Sequence, residues 1–331
     1  MRYKCFELHT HTVHSDGSFT PQHLLESALA WQFDGIALTD HNTMSGLEAI
    51  DETLMARTLP VIPGIEWTTY FGHMLVLASN AYIDWRFALP HTIDDYIKKI
   101  KEAGGVVGIA HPFEVGSPFC TGCCWDFRIE NWDQLDYIEV WSGTFPHKRF
   151  KNELALAWWT ELLNKGARLA AVSGRDWHGL DQEEKVLSSA TYLALENGII
   201  TAATVKEALA RGRSFVTLGP CLDFRLKRNG MACGPGDSLT PGNCELEAGI
   251  DENQRRELWQ DFGIKGKRAV LVHNGQELAS FDCSHNKHPG HGFRHTSPCE
   301  LAPGWARLEL YGSCMGAEDT LLGFTSPVYI V

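Results

Sequence analysis

This sequence lacks long hydrophobic runs and has fewer basic than acidic residues. Its 331 residues include 41 acidic and 29 basic side chains, a formal net charge of -12. No uninterrupted apolar stretch approaches the roughly 18 to 20 residues of a membrane helix, and residues 1–5 lead into the first apolar strand without a signal peptide. Because nucleic-acid binders need cationic surface, extended nucleic acid is an unlikely partner, although a short nucleotide could enter a metal-lined pocket. We therefore expect a cytoplasmic protein with a small-molecule substrate and no membrane association, and its oligomeric state stays open.

Three common catalytic motifs are also absent. The sequence contains no G-x-x-x-x-G-K, no G-x-G-x-x-G and no G-x-S-x-G, which leaves kinases, dinucleotide enzymes and serine hydrolases with little support. Hydrophobic residues make up 44% of the chain, enough to bury a substantial core. A chain of this length is typical of one large domain plus a small one.

Cysteines are numerous, but few have the spacing of metal ligands. Only Cys120, Cys123 and Cys124 are spaced in that way, and a single C-x-x-C gives weak support for structural zinc. We expect free thiols in an insertion loop, with a zinc site as the alternative. Six further cysteines are expected to be buried thiols in a reducing compartment, or to pair if the chain is exported: Cys221, Cys233, Cys244, Cys283, Cys299 and Cys314.

A His-x-His pair follows the first apolar strand. His9 and His11 are two residues apart on an extended segment, so their side chains point the same way and can hold one ion. The loop that follows carries Asp16 towards a neighbouring ion. This spacing predicts a metal site.

Further apolar, strand-like runs also lie next to residues that bind metals. In a barrel of parallel strands the carboxyl ends meet at one rim, where ligands from distant positions can gather. Imidazole and carboxylate ligands suit zinc, manganese or iron, and thiolates are absent from the set. Nine candidate metal ligands result: His9, His11, Asp16, His41, Glu66, His73, His111, Asp176 and His178.

These motifs, in order, resemble those of the PHP (polymerase and histidinol phosphatase) metallophosphoesterase family over about the first two thirds of the chain. The matching segments are HTHTVHSDG at 9–17, LTDHN at 38–42, PGIE at 63–66 with GH at 72–73, AHP at 110–112 and SGRDWHG at 173–179. The resemblance implies a trinuclear centre of divalent transition metals (zinc, manganese or iron) in a distorted barrel. It implies one ion on His9, His11, Glu66 and Asp176, a second on Glu66, His73 and His111, and a third on Asp16, His41 and His178.

The last third resembles the tail of the CehA/McbA-type PHP hydrolases in the segments TAATVKEALARGRS at 201–214, FVTLGP at 215–220, VHNG at 272–275 and TSPVY at 325–329. We therefore expect an α/β fold. A distorted (β/α)7-type PHP barrel would span residues 1–214, and a small antiparallel β-sandwich domain would span 215–331. Alternating strands and helices predict consecutive parallel strands, with helices at 21–33, 45–57, 93–103, 150–164 and 202–211.

Two irregular segments interrupt this pattern. Residues 113–134 lack helical or strand periodicity and are expected to form an insertion that overhangs the metals. A second group of histidines lies in a segment rich in Gly and Pro, where a loop between strands is favoured over a further metal site: His285, His288, His291 and His295.

Several residues beside the ligands are candidates for other roles. Arg175 offers a forked donor for phosphate oxygens or, equally, a salt bridge. Lys148 and Arg149 could bind an anionic part of the substrate or simply begin a helix. Asp40 is expected to orient a ligand imidazole from behind. Glu66, Asp176 and Arg175 are the predicted catalytic residues.

The predicted function is ester hydrolysis. The favoured hypothesis is a metal-dependent phosphoesterase that attacks a small phosphorylated metabolite or nucleotide with a metal-bound hydroxide. Hydrolysis of a carbamate or carboxylic ester, as in CehA, would use the same centre and is the alternative. A non-catalytic, metal-stabilised binding scaffold is the further alternative.

Overall fold

A computed structural model describes residues 1–116, 122–181, 185–284 and 292–331. The N-terminal elements are β1 Arg2–Glu7, α1 Pro21–Ala30, β2 Gly35–Leu38, α2 Glu52–Arg57, β3 Val61–Thr69, β4 Gly72–Leu77, α3 Ile93–Glu102, β5 Val106–Ile109, β6 Tyr137–Ser142, α4 Phe150–Asn164, β7 Ala170–Gly174, β8 Ala190–Leu195, α5 Ala202–Ala210 and β9 Ser214–Thr217. The C-terminal strands are β10 Cys221–Arg228, β11 Met231–Cys233, β12 Ser238–Leu239, β13 Gly242–Asp251, β14 Lys265–His273, β15 Gln276–Asp282, β16 Phe293–Leu301, β17 Gly304–Cys314, β18 Ala317–Thr325 and β19 Val328–Ile330.

The helices lie where the sequence predicts them, with one exception. At α1, Thr20 caps the helix by accepting a hydrogen bond from the backbone N–H of His23, and Pro21 occupies the first turn. The prediction of one helix over 45–57 is wrong, because that segment forms a short 3-10 turn, Ser45–Ala49, followed by α2. The break has a local cause: the Asp51 carboxylate accepts from the backbone N–H of Leu54 at 2.7 Å and so begins a new helix.

A curved sheet with the strand order β8-β1-β2-β3-β4-β5-β6-β7 carries the candidate site. The expectation of consecutive parallel strands holds for β1–β2, β2–β3, β5–β6 and β6–β7. It is wrong at β4, which is antiparallel to both β3 and β5. Only two residues join β3 to β4, and a crossover between parallel strands needs a dozen or more, so this connection must be a hairpin.

The end of β7 lies against the end of β1 and brings distant ligands together. Just beyond these strands, Thr10 and Trp177 form a parallel bridge. The N–H of His11 donates to the carbonyl of Trp177, and the N–H of Trp177 donates to the carbonyl of His9, each at 3.0 Å. This pairing sets the first histidine motif beside Asp176.

The C-terminal strands pair in antiparallel fashion, except that β12 is parallel to β19. β11, β10, β13 and β16 form a four-stranded sheet, whereas β14, β15, β17, β18 and β19 extend the larger sheet. The expected mixed α/β class is confirmed, with parallel strands in the central sheet and mainly antiparallel strands after it. The predicted domain boundary at 214/215 falls inside β9, which pairs with β8 on one side and β18 on the other. The division into two domains therefore stays a prediction.

A search of the described segments for membrane-spanning helices finds none that combines sufficient length with sufficient apolar character.

Candidate metal centre

Glu66, on β3, lies at the centre of a cluster of imidazoles. Its side chain is fully buried, and both carboxylate oxygens contact histidines. Oε1 is 2.7 Å from His73 Nδ1 and 3.0 Å from His111 Nε2. Oε2 is 3.2 Å from His9 Nε2, 3.3 Å from His11 Nε2 and 3.0 Å from His41 Nδ1. Five imidazoles from four different strand ends thus surround one carboxylate.

Two further carboxylates complete the cluster. Asp176 follows β7 in a left-handed backbone conformation, with φ of 53°, and its Oδ1 is 3.1 Å from Nε2 of both His9 and His11. Asp16 lies 3.4 Å from His41 Nε2 and 3.1 Å from His178 Nε2. The structure therefore brings together all nine residues that the sequence singled out.

The grouping of potential ligand atoms agrees in part with the three predicted ion sites. The set predicted for the first ion forms one group: His9, His11, Glu66 and Asp176. The set predicted for the third ion also forms a group, but His11 joins it: His11, Asp16, His41 and His178. Around the second predicted site, Glu66 and His73 group with His41, while His111 groups with His9 and Glu139. The division of ligands among ions stays a prediction.

The donor atoms fit divalent transition metals. Buried atoms at the centre of the cluster make no hydrogen bond within the described structure: Nε2 of His9, both ring nitrogens of His11, Oε2 of Glu66 and Oδ1 of Asp176. Buried polar atoms normally have partners, so this arrangement calls for a cation. Imidazole nitrogens and carboxylate oxygens are ligands that zinc, manganese and iron accept.

The electrostatics of the acids also favour cations. Burial alone would raise the pKa of Glu66, but the neighbouring imidazoles of His9 and His73 hold it well below its usual range. At Asp176 burial is likewise outweighed by His9 and His11, and the pKa falls well below the ordinary value. Both carboxylates are therefore ionised near neutral pH.

Metal binding is expected to release protons. Burial favours the neutral imidazole of His41, but the carboxylates of Asp16 and Glu66 beside its two ring nitrogens raise its pKa to about 10 in the metal-free protein. Because a ligand histidine must be neutral, metal has to displace this proton, and metal affinity should rise as the pH increases towards that value. Zinc titrations in buffers of different ionisation enthalpy measure both effects. A pH-independent affinity without proton release would contradict this expectation.

Glu139, on β6, supports the cluster and was not among the predicted residues. Its Oε1 lies 3.1 Å from His9 Nδ1, and its Oε2 accepts from the backbone N–H of His111 at 2.9 Å. Gly174 makes room for it, because a Cβ there would lie 2.4 Å from the Glu139 carboxylate and 2.5 Å from His9. The available signal was a carboxylate within an otherwise apolar strand, Tyr137–Ser142.

Replacing Glu139 by Gln should lower metal affinity by about 10- to 100-fold, the usual effect of losing a partner that orients a metal-binding histidine. An amide presents a donor as well as an acceptor to His9 Nδ1, so the ring loses its fixed tautomer. Calorimetric titration with zinc checks this. Glu245→Gln, an exposed change on β13, is the control, and equal affinities of the two variants would contradict the proposed contact.

Asp40 does not contact an imidazole in the way that the sequence suggested. Its carboxylate accepts from the backbone N–H and hydroxyl of Thr12, at 2.7 and 2.8 Å, and from the hydroxyl of Ser15 at 2.8 Å. The ring of His41 is instead 2.6 Å from Thr68 Oγ1. Asp40 therefore holds the loop that carries Asp16.

Arg175 forms the salt bridge that was one of its two expected roles. The guanidinium lies between two indole rings, 4.5 Å from Trp31 and 4.2 Å from Trp177, and it donates to Asp181 at 2.5 Å. Its side chain is only 2% exposed. Arg175 thus stabilises the segment around Asp176. It also lines the metal cavity, and its Nε and Nη1 make no hydrogen bond within the described structure, so direct binding of phosphate oxygens stays a prediction.

The cluster opens into a cavity of about 530 Å³. The described lining includes Arg149 and Lys151 but not Lys148, whose ammonium lies 5.8 Å from the centre of the Phe145 ring. The assignment of Lys148 to the substrate stays a prediction. Lys148 precedes the helix, whereas Lys151 lies in the first turn and lines the cavity. Glu114 and Cys123 of the 113–134 insertion also line the cavity, as expected for a segment near the metals.

The alternative metal sites remain predictions. Cys120 and three of the four clustered histidines, His285, His288 and His291, lie outside the described residues. His295 packs its ring 3.8 Å from Phe281. Eight cysteines within the described segments are free thiols, namely Cys5, Cys124 and the six in the C-terminal part.

Comparisons with known proteins agree with this geometry. The PHP domain family matches residues 7–109. The protein MJ1587 of Methanocaldococcus jannaschii is 30% identical over 161 residues, which cover 45% of this chain and 88% of that protein. The 5'-3' exoribonuclease Rnm of Salmonella typhimurium is 36% identical over 81 residues, 24% of this chain and 28% of that enzyme. The chain spans less than half the length of three of the curated relatives that it matches.

Among solved structures, the chain is similar to a two-domain protein from Bacteroides vulgatus that contains a predicted PHP-like metal-dependent phosphoesterase. The similarity covers 99% of this chain and 95% of that one, with a TM-score of 0.53 and 16% sequence identity. At this identity the match shows a shared fold. The narrower resemblance to the CehA/McbA subgroup stays a prediction. From the matched motifs, the relative covered over most of its length and the shared fold, we conclude that the chain belongs to the PHP domain family.

Proposed function

We propose that this chain is a metal-dependent phosphoesterase that hydrolyses a small phosphorylated metabolite or nucleotide. One observation carries the proposal: a buried carboxylate, Glu66, lies within 3.3 Å of five imidazoles at an open cavity. Such a set of ligands can hold several cations side by side. An anionic phosphoryl group is the kind of substrate that clustered cations bind well.

The nine residues of the cluster would hold the ions, with Glu66 shared between them. Bound metals supply charge neutralisation and a lowered pKa for water. The protein holds the donors in place before substrate arrives. Glu139 holds the His9 ring, Asp40 fixes the loop before Asp16, and Arg175, stacked between two tryptophans, supports the segment of Asp176. Preorganisation of this kind supplies much of the rate enhancement in such sites.

Two kinds of phosphoester belong in the first experiment. The Rnm relative is named a 5'-3' exoribonuclease, so phosphodiesters, including short RNA, should be screened beside phosphomonoesters. Neutral aryl and carbamate esters test the alternative hydrolase reaction. The scaffold alternative requires none of these to turn over.

We expect the metal-reconstituted protein to hydrolyse phosphoesters, and a chelator to remove that activity. Re-addition of zinc, manganese or iron should restore it, because the proposed reaction depends on bound metal and not on a covalent nucleophile of the protein. Steady-state rates before chelation, after chelation and after metal addition measure this. Phosphoester turnover that persists in fully demetallated protein would contradict the proposal, and turnover of neutral esters alone would favour the alternative.

A further inference from the structure

One side of the metal cavity carries donors that the nine ligands do not explain. Ser142 ends β6, and Arg149 and Lys151 lie at the start of α4; we call these three residues the basic wall. All three line the cavity beside His111 and Asp176. Their hydroxyl, guanidinium and ammonium groups differ from the imidazole and carboxylate donors that form the cluster.

Ser142 presents a buried hydroxyl without a partner. The residue is 1% exposed, and its Oγ makes no hydrogen bond within the described structure. Its backbone is fixed by the side chain of Asn152, which accepts from the Ser142 N–H and donates to its carbonyl, each at 3.1 Å. A buried hydroxyl held in this way, at the edge of a cavity, is ready to contact a ligand.

Arg149 is a cation that the carboxylate of Asp176 attracts electrostatically without forming an ion pair with it. Its Nε donates to the carbonyl of Thr144 at 2.6 Å, and Nη2 lies 3.3 Å from the Thr144 hydroxyl. Across the segments that the structure describes, Arg149 forms an ion pair with no carboxylate. Gly143, at φ of 79°, allows this placement, because a Cβ there would lie 2.8 Å from the guanidinium carbon. A half-buried guanidinium with one edge held and no ion-paired carboxylate suits an anion.

Lys151 has a counter-ion that belongs to the insertion. Its ammonium forms an ion pair with Glu114, and the two side chains are 16% and 24% exposed. Burial lowers the pKa of Lys151 to about 8, so the ammonium is still mostly charged at neutral pH. Both partners line the cavity, where an entering anion can compete with Glu114 for this cation.

We propose that Ser142, Arg149 and Lys151 bind an anionic oxygen group of the substrate, and that this group displaces Glu114 from Lys151. The inference rests on the proposed function and narrows it, because a neutral carbamate or carboxylic ester offers nothing to such a wall. Two sources share the required chemistry. The group is either the scissile phosphoryl itself or a second phosphate or carboxylate on the same molecule.

Binding of inorganic phosphate to the metal-loaded protein tests the wall without turnover. Arg149→Gln and Lys151→Met should each weaken phosphate binding, measured by calorimetry, by about 10- to 100-fold, the range expected for one hydrogen bond to a charged group. Glu114→Gln should tighten it, because Lys151 then has no competing carboxylate. Lys165→Met, at the exposed end of the same helix, is the matched control and should bind as the wild type does.

Steady-state kinetics then show whether the basic wall binds the scissile phosphoryl or a second anionic group of the substrate. If the wall binds the scissile phosphoryl, both cationic variants should raise KM for a phosphomonoester of a neutral alcohol. If it binds a second group, KM should rise for a bisphosphorylated substrate and stay unchanged for the simple monoester. Either pattern supports the wall, provided that the metal content equals that of the wild type.

The proposed role of the basic wall is contradicted if Arg149→Gln and Lys151→Met, with full metal content, match the wild type in phosphate affinity and in KM for both substrates. Failure of the proposed function looks different. In that case the metal-loaded wild type itself hydrolyses no phosphoester, and no comparison of variants is needed to see it.

Discussion

Phosphoester hydrolysis is expected to fall by more than about 100-fold when Asp176 is replaced by Asn, a loss larger than that for a residue that only orients a ligand. The Asp176 oxygen lies 3.1 Å from both His9 Nε2 and His11 Nε2, and the residue is held in a left-handed backbone conformation. An amide of the same size keeps the shape of the site but removes the negative charge that a cation needs. Rates with saturating metal measure the loss.

Asp95→Asn is a matched control for this experiment, because Asp95 is exposed in the first turn of α3. It should keep wild-type rates. If Asp176→Asn hydrolyses phosphoesters at the wild-type rate with saturating metal present, Asp176 is not part of the catalytic centre.

The largest loss of bound metal is expected from Glu66→Gln. Glu66 contacts five imidazoles through two oxygens, so it belongs to more than one group of potential ligands. An amide oxygen is a much poorer ligand for divalent metals than a carboxylate. Elemental analysis should therefore find at least one ion fewer per chain than in the wild type.

Comparison with Glu139→Gln distinguishes the loss of a bridging ligand from the loss of a residue that only orients ligands. Glu139 acts on the cluster through His9 and the backbone of His111, so its loss should lower metal affinity without removing a bridging ligand. At saturating metal, Glu139→Gln should retain the wild-type stoichiometry while Glu66→Gln does not. The same stoichiometry in both variants would contradict a bridging role for Glu66.

The residues of the cluster could be predicted from sequence because strand ends converge at one rim of a barrel. His9, His41, Glu66, His111 and Asp176 each follow or end an apolar run, and pairing of the strands places them within contact of one another. Each residue alone is a weak signal. Their shared position relative to the strands made the set predictable.

Residues that act through three-dimensional contacts could not be predicted in the same way. Glu139 is a single acid in an apolar strand, and only the fold shows that it faces His9. Lys148 and Lys151 are both lysines near the start of α4, and only the fold shows that Lys151 lines the cavity. Arg175 was predicted to bind phosphate oxygens or to form a salt bridge, and only the fold shows that it lies between the indoles of Trp31 and Trp177.

The antiparallel direction of β4 was also not predicted from the sequence. The alternation of apolar runs and helices suggested parallel strands throughout, but the connection from β3 to β4 contains only Tyr70 and Phe71. Recognising a two-residue hairpin there would have corrected the topology. The position of His73 opposite Thr68 follows from that hairpin register, and it puts the His73 ring against Glu66.

Anomalous X-ray scattering from crystals of the metal-reconstituted protein tests the central claim most directly. The account predicts peaks at the absorption edge of the added metal inside the cluster, with one peak in contact with Glu66, Asp176 and the rings of His9 and His11. Fully reconstituted crystals without any peak between these side chains, or with peaks only elsewhere in the molecule, would contradict it.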